Sequence, residues 1–251
     1  MFYDRIPLRA LANALLSSGN TTLLNPDSQV SVSLSPTQAG APVFPQILTI
    51  LPAAVLPNYS TMDRAIQNAY STQTGVEVEQ HLGRSGMISV GYMKLRGIHL
   101  MASINQNVPA CAASGSNNGC RPNLAYGNNS QYSAAGDSWY DGLHVVFQQR
   151  TSRWSSFRVS YAYSKSLNDV GEFFFSSPLD PYNIWRDKGR SDDDQRHRVV
   201  GSGQLHAPFG FSLSGIVQYY SALPFNIIIG ANTVQGTPAR PVSNGDFISR
   251  N

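Results

Sequence analysis

Charge is scarce in this chain. Only 13% of its 251 residues are Asp, Glu, Lys or Arg, about half the usual share. The net charge of +3 has no basic run behind it, which argues against a nucleic-acid partner. Cysteine is nearly absent. Cys111 and Cys120 are the two, and with no second Cys/His pair at ligand spacing they do not read as a zinc site. Long apolar runs are missing. The most apolar stretch, Phe44 to Pro57, falls short of the ~20 residues of a spanning helix and is broken by prolines. The N-terminus carries Asp4, Arg5 and Arg9 around a short apolar run, without the apolar core of a signal peptide, and reads as mature sequence. The signatures G-x-S-x-G, H-E-x-x-H, C-x-x-C and the P-loop are absent. No enzyme, cofactor or metal is expected.

Alternation is what the chain has instead. In Trp154 to Ser164, Phe157, Val159, Tyr161 and Tyr163 alternate with Ser156, Arg158, Ser160, Ala162 and Ser164. This period of two gives a strand one apolar and one polar face. Thr74 to Leu82, Met87 to Leu95, Trp139 to Gln149 and Phe211 to Tyr220 repeat the pattern, with Ile216 as an exception. A sixth strand, glycine-thin on its apolar face, begins at Arg196 and runs to His206. Earlier in the chain, residues 7–18 suit one short helix and Gln29 to Ser35 a strand.

The gaps between strands alternate in length. Residues 83–86, 150–153 and 207–210 are tight turns, whereas 96–138, 165–195 and everything after Tyr220 are long. Compact soluble domains rarely hold structureless loops above ~12–15 residues. Outer-membrane barrels combine short periplasmic turns with long extracellular loops, and their tilted strands need ~9–11 residues to cross. The expected fold is all-β: a partial antiparallel transmembrane β-barrel of about six to eight meandering strands. Tyr92, Tyr163 and Tyr219 fall near the long-loop ends, and Trp154 and Phe211 near the tight turns, as two interfacial aromatic girdles would. Aromatic enrichment of ordinary strands gives the same pattern.

The stretch RSDDDQRHRVV, Arg190 to Val200, gathers the residue types of chemistry. Ser191, Asp192 and His197 supply the side chains of a hydrolase triad, but all within seven positions leading into one strand, where a triad draws on distant segments. The structural alternative places Asp192, Asp193 and Asp194 at the mouth of the barrel, paired with Arg196 and Arg198 and partly solvated. Tyr182, Trp185 and Arg186, in the same long loop, complete the candidate ligand-facing set. Cys111 and Cys120, in one Asn/Ser/Gly-rich loop, suit a local disulfide in an oxidising compartment; the plainer reading is two free thiols.

Taken in order, several segments resemble a known family. YSTQTGVEVEQHLGRSGMISVGYMKLRGIHL, YDGLHVVFQQR, FRVSYAYSKSLND, PYNIWRDKGRSDDDQRHRVV and SGIVQYYSALPFNI are similar to the barrel region of TonB-dependent outer-membrane receptors of the acidobacterial, Oar-like kind, which carry a carboxypeptidase-regulatory-like domain before the plug. The resemblance spans about residues 1–250. It implies an outer-membrane location and energised uptake of a large or scarce nutrient, a glycan, siderophore or similar small ligand. The partners it implies are membrane lipid, a plug domain and the TonB energy-coupling protein. Receptors of this kind close about 22 strands around a plug, so six strands are expected to be a fragment of the wall. Its parts would be an irregular 1–73, barrel strands over 74–220, and an extracellular loop with a truncated end over 221–251. The competing reading from another class is a secreted β-sandwich adhesin or glycan-binding module with Tyr182 and Trp185 as stacking platforms.

Overall fold

The computed structural model describes residues 2–18, 32, 34–47, 52, 55–110, 118–149, 154–170, 178, 180–225, 227, 242–243 and 246–247. It contains one nine-stranded sheet. β1 (Phe2–Tyr3) edges the sheet and α1 (Leu8–Leu16) follows. Then come β2 (Tyr59–Met62), β3 (Tyr70–Leu82), β4 (Gly86–Asn105), β5 (Asn129–Gln149), β6 (Ser155–Asn168), β7 (Gly189–Arg190), β8 (His197–His206) and β9 (Ser212–Tyr220). The order across the sheet is β1-β3-β4-β5-β6-β8-β9, with β2 on β5 and β7 on β6. All pairings are antiparallel except β2 with β5. A separate pair, Val242–Ser243 with Asp246–Phe247, lies outside the sheet.

All six expected strands are present, but two are far longer than 9–11 residues: β4 has 20 and β5 has 21. The expected loop 96–138 therefore shrinks to 106–128, and the loop expected from 165 begins after Asn168. The last strand pair also begins slightly later, at His197 and Ser212. Of the strand expected over Gln29 to Ser35, the described residues Val32, Leu34 and Ser35 are not extended into a sheet. The turn 150–153 and most of 221–251 lie outside the described residues.

Cross-strand register sorts the side chains by face. Val78 opposes Val90, Val90 opposes Val145, Val145 opposes Tyr161, Tyr161 opposes Val199 and Val199 opposes Tyr219. Directly opposed residues share a face. One face thus carries Val76, Val78, Ile88, Val90, Tyr92, Leu143, Val145, Phe147, Phe157, Val159, Leu205, Leu213 and Val217, with no Asp, Glu, Lys or Arg among them. The other holds Glu77, Glu79, His144, Arg158, Ser160, Arg198, Gln204 and Gln218, together with Ile216. The apolar face is uncovered: Val78 is 65% exposed and Val217 73%. In water that face would have to be buried against a second layer; among the described residues none lies on it.

The small core sits at the other end of the sheet, beyond Tyr92. The helix α1 presents Ala10 and Ala14, one turn apart, to Tyr132 of β5, with Met62, Ile66 and Met101 packed around them. Asn13 donates to the Tyr132 hydroxyl at 3.2 Å. A second cluster joins Ala102, Ile104 and Val170. Here β4 and β5 are covered on both faces, and two register shifts between Ile98 and Ala102 bend the ladder.

Candidate functional site

The tight connections gather at one end of the sheet and the long segments at the other. At the long-segment end the described parts of two connections, 106–110 with 118–128 and 180–196, form layers with their own hydrogen bonds. Asn107, 1% exposed, donates to the carbonyls of Asn123, Tyr126 and Gly127 and accepts from the Asn123 amide. The Tyr182 hydroxyl donates to the Val108 carbonyl at 3.3 Å, joining the two layers.

The aspartate run divides. Asp194 is buried, and its carboxylate accepts from Arg190 Nε at 2.6 Å, Arg196 Nε at 2.9 Å and the Ser166 amide at 2.8 Å. It clamps residues 190–196 to the top of β6. Asp192 and Asp193 are exposed. The expected partly solvated pairing is corrected in two ways. Asp194, which holds Arg190 and Arg196, is fully desolvated, and Arg198 turns instead to the Gln195 side chain and the Tyr220 ring. His197 bonds the Tyr161 hydroxyl through Nδ1 at 2.9 Å and packs on the Tyr161 and Tyr163 rings; Ser191 Oγ accepts from the Asp193 amide.

The other loop candidates are held as well. Trp185 stands edge-on to Trp139 of β5 at 5.5 Å between centroids. Lys188 Nζ lies 3.9 Å from the Trp139 centroid and 4.0 Å from that of Trp185, a partly solvated cation–π arrangement. Arg186 pairs with Asp180 at 2.9 Å. Tyr182 and Trp185 remain exposed. Asp169, buried, accepts from the Asp137 amide at 2.7 Å; burial pushes its carboxyl above the ordinary carboxylate range. Cys120 is disulfide-bonded, while Cys111 lies outside the described residues. No group of three or more His, Cys, Asp or Glu among the described residues is placed to hold a metal ion.

Between the second of these layers, the outer parts of β4 to β6 and the N-terminal segment lies a cavity of about 490 Å³, lined by Asp4, Arg5, Gln67, Leu100, Ser166 and Asp193 among others. Of the loop candidates read from the sequence, Asp193 alone borders it. Asp4, Arg5 and Gln67 were not anticipated, because nothing local in the sequence links them to residues more than a hundred positions away. Arg190 was also missed, although its spacing of four to Asp194 was visible.

The aromatic residues frame the apolar face. Tyr92, Tyr163 and Tyr219 are exposed toward the long-segment end, and Trp154 and Phe211 beside the tight turns. Tyr163 and Trp154 are nine positions apart, about 30 Å along a strand; a tilt of ~40° reduces this to ~23 Å, against an apolar band of ~25 Å in membrane barrels.

An antiparallel meander with an uncovered apolar face, a polar face behind it, tight turns at one end and layered loops at the other is the wall of a transmembrane β-barrel. The chain belongs to the outer membrane beta barrel domain family, which matches residues 1–250. Its place is the outer membrane, its apolar face meets lipid and its polar face the lumen. No curated protein sequence matches the chain. Among solved structures it is similar in fold to the outer membrane transporter YddB from Escherichia coli. The two are 12% identical with a TM-score of 0.51, over 77% of this chain and 25% of that one. The chain thus spans about a quarter of that protein's length, and the sheet is open, with no described strand paired to the outer side of β9.

Proposed function

We propose that the chain is a section of the barrel wall of a TonB-dependent receptor that imports a large or scarce nutrient, such as a glycan or siderophore. A plug domain would occupy the lumen, and TonB would supply the energy. The observation that carries this reading is the length of β4 and β5, 20 and 21 residues, twice the ~9–11 that a crossing needs. The surplus raises the wall beyond the bilayer, and the layered loops fold against it beside a cavity of mixed polar and apolar lining. Such a superstructure suits a receptor that must select a dilute ligand. The fold likeness to an outer membrane transporter supports the same reading.

This reading contains no bond-breaking step. Asp194 is committed to two arginines and His197 to two tyrosines, so the acid–histidine stretch closes the mouth of the wall. A secreted sandwich fits poorly, because it would bury the apolar face that stands open here.

Co-purification of the complete protein with the periplasmic domain of TonB tests the proposal. A complex that requires the segment preceding the plug is the expected result. No complex, together with steady ion conductance in planar bilayers, would assign a passive pore instead.

A further inference from the structure

We propose that Lys94 and Lys165 bind the phosphate of an outer-leaflet glycolipid, immediately beyond the aromatic row of the lipid face. The register opposes Lys94 to Asp141 and Asp141 to Lys165. The same register opposes Tyr92 to Leu143 and Leu143 to Tyr163, two residues further into the membrane. The three charged side chains therefore stand side by side on the lipid-facing side, at the first level where charge appears.

Both lysines are exposed, and neither has a partner among the described residues. Their natural counter-ion is engaged elsewhere: Asp141 Oδ1 accepts from the Tyr92 hydroxyl at 2.6 Å, which draws the carboxylate toward the membrane and away from both ammonium groups. One step further out, Arg96 pairs with Asp137 at 3.3 Å and Lys188 sits between two tryptophans. The strip thus carries four cations against Asp141, Asp137 and the buried Asp169 beside Lys188, above a face that has none of either.

The backbones bearing the lysines lie two strand spacings apart, about 10 Å. Their four-carbon stems reach over Asp141 to a common point, and an ammonium is a compact charge with rotatable donors, suited to a phosphate as a point charge. Directly beneath runs the apolar strip of Tyr92, Leu143 and Tyr163. A phosphorylated lipid fills both parts, headgroup on the lysines and acyl chain along the strip. A soluble phosphate would use only the first, which is why the structure assigns the site to lipid.

The test is native mass spectrometry of the complete protein in neutral detergent with three probes: a doubly phosphorylated, acylated glucosamine disaccharide, the same lipid without phosphate, and inorganic phosphate. Each lysine near an anionic surface contributes roughly five-fold in affinity, so Lys94→Gln with Lys165→Gln should weaken the phosphorylated lipid about 25-fold. Arg84→Gln, in a tight turn at the opposite end, should leave it unchanged. The dephosphorylated lipid should bind the native protein no better than it binds the double variant. Equal retention of the phosphorylated lipid by native protein and double variant would overturn the proposal, as would equal retention of both lipids by the native protein. Inorganic phosphate binding as tightly as the lipid would assign the lysines to a soluble anion and overturn the lipid assignment.

Discussion

The Tyr92 hydroxyl donates to the Asp141 carboxylate at 2.6 Å, at the level where the aromatic row of the lipid face meets the first charged row. The contact ties an interfacial aromatic of β4 to its neighbour strand and decides where the negative charge of Asp141 points. Asp141→Asn should therefore raise retention of a phosphorylated lipid, on the order of five-fold, by removing the competing charge. Tyr92→Phe should lower it, because a released carboxylate can close on Lys94 or Lys165. Lipid titrations of the two variants check the opposite signs.

The clamp at Asp194 gives a second expectation. Removing one partner of a buried ion pair costs ~3–5 kcal/mol. The Arg190 and Arg196 side chains keep about a quarter of their exposure, which places Asp194→Asn at or below the low end of that range. Asp193→Asn, on an exposed side chain, should change stability by no more than ~0.5 kcal/mol. Hydrogen exchange over residues 187–196 should rise sharply in the first variant and hardly at all in the second, with barrel assembly intact in both. Equal effects would show that the aspartates act as a diffuse acidic surface.

Asp169 supplies a pH dependence. Its carboxyl is raised by burial, so the folded state holds the proton more tightly than the unfolded chain does. Stability from this group is present at low pH and is lost as pH rises from the ordinary carboxylate range through the raised value. Protection of the junction between β6 and the following loop should fall across that window. Asp169→Asn keeps an acceptor for the Asp137 amide and should flatten the fall, which hydrogen exchange at two pH values measures.

Cys111 and Cys120 are expected to be bonded to each other. Non-reduced peptide mass spectrometry of protein from the outer membrane should yield one linked pair. Reduction should loosen residues 106–128 by roughly 2–3 kcal/mol, as for a short closed loop. Two free thiols would count against both the bond and the oxidising side of the membrane.

Most of the wall was legible because its two faces differ in solvent. From Val76 to Leu82 or Phe157 to Tyr163, lipid on one side and lumen on the other write the strand as an alternation. The outer halves of β4 and β5 were not legible. Ala102, Ser103 and Ile104 are consecutively buried, as are Tyr132 and Ser133, so covering on both sides erases the period, and the bulges near Leu100 shift its phase. The helix over Leu8–Leu16 was visible from its own residues, but its docking on Tyr132 was not. At the loop end the sequence pointed to the correct stretch and the wrong detail. Three adjacent aspartates look equivalent until the backbone turns one inward, and the Trp139–Lys188–Trp185 stack depends on a fold that brings distant positions together.

The central claim is that one face of this sheet meets lipid and the other does not. Val159 and Ser160 are neighbours in β6 on opposite faces, opposed across the sheet by Gly201 and Val200. An arginine at a lipid-facing midplane position costs ~2–4 kcal/mol, whereas lumen positions tolerate charge. The most direct measurement is the yield of folded, membrane-inserted complete protein for Val159→Arg beside Ser160→Arg. A marked loss for Val159→Arg with near-normal insertion of Ser160→Arg is the expected result; equal yields, or a greater loss for Ser160→Arg, would contradict the assignment of the faces.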